Sequence, residues 1–143
     1  MRSAFRHAEK TEKNEHQLRL ITNALPVLIS YIDRFSAFRF INKAYVDWFG
    51  QKEDWYLGRT LADVFGTANS SMNEMIRKKA LAGETVIFET EMTHQTKGRR
   101  KLLAQYLPDF QKNGSVAGII GLATDITDEW ATQTRIREQA PNG

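Results

Sequence analysis

The sequence predicts an α+β domain built on an antiparallel sheet, on three observations. Apolar residues recur at helical spacing near the N-terminus and again between Met72 and Ala80. The last third of the chain changes to a period of two, the spacing of half-buried strands. Turn signals at Lys97-Gly98 and Asn113-Gly114 join those strands one after another, which makes them antiparallel. Helices segregated from strands along the chain are expected to cover one sheet face, with a cavity between the two layers.

Residues 6–17 are almost wholly polar, with Glu9 and Glu15 each four before a basic partner, Lys13 and Arg19. Leu18, Ile21, Ala24 and Leu25 then add an apolar face, and Pro26 ends the helix. Leu28–Asp33 and residues 38–42 read as a strand pair, with Phe38, Phe40 and Asn42 on one face. The linker between them has no glycine. Asn42 is expected to cap a short helix over residues 43–49, closed by Gly50. Thr60 with Asp63, and Ser71 with Glu74, resemble capping boxes, the second opening a helix that ends near Gly83.

Strands are predicted over residues 85–93, 101–109 and 116–124. The last is the most apolar and belongs at the centre of the sheet. Its Gly118 and Gly121 let another element or a ligand approach the backbone. Asp125-Ile126-Thr127 then leads into a C-terminal helix with acids in its first turn. The reading divides the chain into a polar N-terminal helix over 1–17, a central domain over 18–127, and the start of an exit helix over 128–143.

The 143 residues suit one domain, and the absence of cysteine excludes disulfides, thiolate zinc sites and cysteine nucleophiles. A net charge of +3, from 20 basic and 17 acidic residues, is too small to imply nucleic acid. The apolar runs fall well short of the ~20 residues of a membrane span. The polar start lacks a secretory core, so a cytoplasmic location is expected.

No phosphate-binding glycine loop, G-x-S-x-G element or metal-spaced histidine set is present; His7, His16 and His94 read as surface residues. The aromatic residues are the stronger feature. Phe38, Phe40, Tyr45, Trp48, Phe49, Phe65, Phe88 and Tyr106, with Met75 and Leu122, are candidates to line an apolar pocket. Trp55 and Tyr56 belong to the same aromatic set. Asn42, Thr90, Gln105 and Thr124 are its candidate polar anchors. Aromatic residues also fill cores, and Asn42 has a competing role as a cap.

These fragments together resemble a PAS domain. YIDRFSAFRFINKAYVDWFG, residues 31–50, is similar to the family's opening strand pair, which ends in Asn-x-Ala, here Asn42-Lys43-Ala44. Leu57-Gly58-Arg59-Thr60-Leu61 looks like the lead into its next helix, and ALAGETVIFE, residues 80–89, like its helix-to-strand passage. VAGIIGLATDITDEW, residues 116–130, ends in the Asp-Ile-Thr with which such domains leave their last strand. The resemblance covers about residues 18–130, and its flavour is that of bacterial sensor kinases and cyclic-dinucleotide enzymes.

The resemblance implies a five-stranded sheet in spatial order 2-1-5-4-3, short helices on one face and a pocket between. It implies a sensory module that passes a signal through Asp125, Ile126 and Thr127 to an output domain or partner kinase, with no catalytic residues of its own. A homodimer is expected through the N-terminal helix or the sheet face. With no cysteine, a covalent flavin or cysteine-linked chromophore is excluded. Residues 72–92 hold no histidine, which disfavours haem and leaves Met75 as a weak axial candidate; a non-covalent flavin stays compatible. Two other readings compete. One is a ligand-free dimerisation or protein-interaction module of the same fold. The other is a small enzyme with a titratable group in its cavity, which inward-facing Asn, Gln and Thr make the weakest.

Overall fold

The computed structural model describes residues 2–67 and 70–139. The side chains of residues 2–10 fall outside that description, and with them the Glu9–Lys13 pair and the placement of His7. Helix α1 runs unbroken from Arg2 to Asn23. Strands β1 (Leu28–Asp33) and β2 (Phe38–Ile41) follow, then helices α2 (Lys43–Phe49), α3 (Glu53–Tyr56), α4 (Leu61–Phe65) and α5 (Ser70–Leu81). Strands β3 (Val86–His94), β4 (Gly98–Phe110) and β5 (Val116–Asp125) complete the sheet, and α6 (Thr127–Gln139) leaves it. The strands lie in the order β2-β1-β5-β4-β3, antiparallel throughout, so the most apolar strand is central as expected.

The β1–β2 turn works without glycine because Ser36 adopts φ 68°. The left-handed region is open to few residues other than glycine, so the turn needs support. Asp33 supplies it: its Oδ1 accepts from the N–H groups of Phe35 and Ala37 at 2.9 and 3.1 Å. Arg39 holds the other carboxylate oxygen at 2.7 Å. Burial alone would raise the Asp33 carboxyl, but the Ala37 and Phe35 N–H groups and Arg39 outweigh it and hold it below its ordinary value.

Strand β2 corrects the sequence reading. Ile32 lies opposite Phe38, while Tyr31 lies opposite Phe40, so Arg39 is an extra residue on β2. That bulge breaks the alternation. Phe38 and Ile41 face the helices with Ile32 and Ser30, and Phe40 turns to the opposite face with Tyr31.

The core lies between the sheet and the short helices. Leu28, Ile32, Phe38, Ile41, Tyr45, Tyr56 and Leu102 form one buried cluster. Phe38 sits at its centre, edge-on to Tyr45, Tyr56 and Phe65 with ring centroids 5.7, 6.4 and 6.2 Å away. Burying each such ring contributes about 1.5–3 kcal/mol. Helix α3, which the sequence analysis does not resolve, delivers Tyr56 to that cluster, its hydroxyl donating to the Tyr45 carbonyl at 3.3 Å.

Capping is half as expected. Thr60 and Asp63 form a full capping box on α4. Ser71 lies within α5, which already includes Ser70, so it caps nothing, and Glu74 pairs with Arg77 at 2.6 Å. Arg19 pairs with Glu53 of α3 at 2.6 Å, across the fold, where a pair with Glu15 was expected.

Candidate functional site

A cavity of about 450 Å³ lies between the sheet and helices α2, α4 and α5. Its sheet wall comes from Leu28 and Ser30 of β1, Phe88, Thr90 and Met92 of β3, Ala104 and Tyr106 of β4, and Gly121 and Ala123 of β5. The register puts these positions on one face: Ser30 and Tyr106 both lie opposite Gly121, and Ala104 lies opposite both Phe88 and Ala123. Small residues on the central strands leave the space. A Cβ on Gly121 would lie 2.7 Å from Ser30 Oγ and 3.6 Å from the Tyr106 ring. The helical wall is Tyr45 and Phe49 of α2 and Leu61, Val64 and Phe65 of α4.

The interior and the rim differ in chemistry. The interior polar groups are the hydroxyls of Ser30, Tyr45, Thr90 and Tyr106. Asn73, Glu91, Thr93 and Arg99 line the rim and are exposed, and Arg99 pairs with Glu91. Burial keeps the Tyr45 phenol well above its ordinary range, with the Ser30 hydroxyl beside it working the other way. Burial alone raises the Tyr106 phenol to about 12. Both therefore stay protonated at neutral pH.

Of the candidate pocket residues, Tyr45, Phe49, Phe65, Phe88, Thr90, Tyr106 and Leu122 meet at this cavity. Leu122 lies opposite Ile29 and Gln105, so its side chain takes the outer face and the strand itself forms the wall there. The others do not reach it. Phe38 is consumed by the core, fully buried, and the β2 bulge sends Phe40 to the outer face. Thr124 lies opposite Leu103 and is exposed, and Gln105 lies opposite Ile87, whose side chain is 61% exposed on the outer face. Trp48 packs on His94, centroids 5.0 Å apart, beneath the β3–β4 turn. Met75 faces solvent on α5 at 56% exposure. Ser30 and Ala104 escaped notice, although alternation from Leu28 and Tyr106 places each inward; Met92 shares the face of Phe88, as the alternation of that strand predicts.

Asn42 has a different task from the one expected. It precedes α2 but makes no side-chain cap bond. Its side chain is buried, with Oδ1 accepting from the Ile29 N–H at 3.0 Å and Nδ2 donating to the carbonyls of Thr22 and Val27 at 2.8 Å each. The first amide of α2, Lys43 N–H, donates to Asn23 Oδ1 at 2.8 Å. Two asparagines therefore clasp the end of α1 to the start of β1 and α2.

The exit from β5 is a second clasp. Asp125 Oδ1 accepts from the Thr127 N–H at 2.9 Å and from its hydroxyl at 2.6 Å. Asp125 Oδ2 accepts from Arg100 Nε at 2.8 Å. Thr127 Oγ1 in turn accepts from the Lys101 N–H at 2.8 Å, and the Ile126 N–H donates to the Lys101 carbonyl at 2.8 Å. Lys101 Nζ stands 4.7 Å from the Trp130 ring centroid. The β5–α6 junction, residues 125–130, is thus tied to β4 at four points, and the basic partner of Asp125 is Arg100.

Burial works to raise the Asp125 carboxyl, but the bonds from Thr127 and Arg100 overcome it and keep it below the ordinary aspartate value. A carboxyl lowered on folding contributes its full stabilisation above the unfolded value of about 3.9, and loses it as pH falls through the lowered folded value. Asp125→Asn is therefore expected to melt below the parent at pH 7, with the two melting temperatures converging below about pH 4. A gap that stays constant across that range would contradict the assignment.

A five-stranded sheet in this order, short helices over one face, a cavity open at its rim between them and a clasped exit helix together define a distinct α+β fold. The chain matches the family model for the PAS fold over residues 22–130, and it belongs to that family. No curated protein matches the chain. It is similar in structure to the PAS domain of BvgS from Bordetella pertussis, with TM-score 0.66 and 22% identity over 90% of this chain and 99% of that one. The PAS domain of a Colwellia psychrerythraea protein gives TM-score 0.62 and 19% identity over 79% of this chain and 97% of that one. Phage VqmA, solved as a complex with DPO, gives TM-score 0.66 and 23% identity over 94% of this chain and 63% of that one. At these identities the likeness establishes the fold. Among the described residues no helix is long and apolar enough to cross a membrane.

Proposed function

We propose that this PAS domain is a sensory module that binds a small ligand between its sheet and helices and transmits occupancy through Asp125–Thr127 to α6. The observation that carries this reading is the cavity of about 450 Å³, within the ~300–1,000 Å³ of small-molecule pockets. Its wall includes Gly121 and Ala123 of the strand that ends in the Asp125 clasp. A ligand that favours one arrangement of β5 over another shifts the exit helix by that difference in affinity. A coupling of about 1–3 kcal/mol suffices for a useful switch. An output domain or partner kinase beyond α6 would read it, in a cytoplasmic receptor. A non-covalent flavin stays within the aromatic character of the walls. Exposed Leu18 and Ile21 on α1, with exposed Leu25 just after it, support pairing with a second copy.

The test is a native mass spectrum and absorption spectrum of freshly purified protein, beside the variant Ala123→Leu. Leucine at this small wall position projects into the cavity and takes volume from a ligand. A mass-shifted or coloured species in the parent, lost in Ala123→Leu while the fold is kept, is the expected result. A mass-matched, colourless parent whose melting temperature no metabolite raises would favour the ligand-free interaction module.

A further inference from the structure

The Tyr106 hydroxyl is a polar group of this cavity that the fold leaves unused. Its ring packs edge-on against Phe88, with centroids 5.3 Å apart, and it lines the cavity. Among the described residues its hydroxyl has no hydrogen-bond partner in the protein. Tyr106 is deeply enclosed yet keeps part of its surface accessible, because that surface faces the cavity. Among the described residues no fully buried side-chain polar atom lacks a partner, so this hydroxyl is reached from the cavity, where a ligand acceptor can meet it. Burial keeps its proton in place, so the group is a donor at any physiological pH.

The rest of the wall restricts charge and shape. Among the described residues no ionisable group other than a phenol lies in the interior, and the rim charges Glu91 and Arg99 satisfy each other. An anionic ligand would lose its hydration without meeting a cation, and a cation would meet no carboxylate. Phe49 and Phe65 on the helical wall and Phe88 on the sheet wall line the cavity with aromatic rings, which favour an aromatic, flat partner.

We infer that the cavity selects an uncharged, flat small molecule whose carbonyl oxygen or ring nitrogen accepts a hydrogen bond from Tyr106. This rests on the ligand-binding reading above and specifies its chemistry.

The experiment titrates the protein, by protein-observed NMR, with flat bicyclic fragments in three matched forms. On indole, naphthalene and quinoline scaffolds these are the aldehyde or carboxamide, the carboxylate and the methyl compound. The neutral acceptor form is expected to bind most tightly and the carboxylate not at all. Tyr106→Phe should weaken the acceptor form about fivefold to tenfold and leave the methyl form unchanged. Because the hydroxyl bonds no protein group, the unliganded melting temperature of Tyr106→Phe should equal or exceed the parent's, which shows that the variant folds. Equal or tighter carboxylate binding, or acceptor binding indifferent to Tyr106→Phe, overturns this inference and leaves the ligand-binding reading standing. Failure of every form on every scaffold overturns both.

Discussion

Replacing Asn42 with Ala is expected to destabilise the domain by about 2–4 kcal/mol. The side chain is 1% exposed and makes three hydrogen bonds, all to backbone. Alanine leaves the Ile29 N–H and the Thr22 and Val27 carbonyls without that partner, and an unmet buried polar group costs about 1–3 kcal/mol. The sum falls short of three full penalties because the end of α1 can move outward and rehydrate its carbonyl. Asn42→Asp should be comparably damaging despite its shape, since it sets an oxygen where Nδ2 now meets two carbonyls. Asn23→Ala, which removes one exposed bond to Lys43, should cost about 1 kcal/mol. Urea unfolding of the three variants checks the order. An Asn42→Ala variant within about 0.5 kcal/mol of the parent would mean the clasp is ornamental, since surface substitutions fall in that range.

Replacing Asp125 with Ala is expected to free the first turn of α6 while the sheet and its cavity persist. The carboxylate holds Thr127 and Arg100 at once, and bonds to charged groups contribute about 1.5–3 kcal/mol each. What is lost is local, because β5 stays paired to β1 and β4 on both sides. Arg100 retains Asp128 nearby at 3.7 Å, a weaker and exposed substitute. In hydrogen exchange, the amides of Ile126, Thr127 and Trp130 should lose about tenfold or more of their protection, while those of the sheet stay within twofold. Joined to an output domain, the variant should bind ligand as the parent does and fail to respond. An output that follows ligand equally in both would show that the signal leaves by another route.

Much of this architecture is legible in the sequence, for reasons particular residues make plain. Period-two alternation locates β3, β4 and β5 within a few residues, because one face of each meets the helices and the other faces outward. The apolar run ending in Asp125-Ile126-Thr127 announces a central strand leaving for a helix. Features that depend on two distant segments are hidden. The bulge at Arg39 follows from how β2 pairs with β1, and a one-residue offset reverses a whole face, so Phe40 and Phe38 part company. Asn42 has the right residue type and position for a cap. Only the fold shows that α1 ends close enough to claim its side chain and to provide Asn23 for the cap. Thr124 and Gln105 are polar residues on strands, and register alone decides that they face away from the cavity. Arg100 is one of three consecutive basic residues, and nothing local distinguishes it from Arg99 as the partner of Asp125.

The most direct test of the central claim is hydrogen exchange at the β5–α6 junction, with and without the fragment that binds the parent most tightly. Saturating the cavity is predicted to change protection at Ile126, Thr127 and Trp130 in the parent by about fivefold or more, and to leave those amides unmoved in Asp125→Ala. Protection that changes only along the cavity walls, with the junction identical in both states, would contradict it.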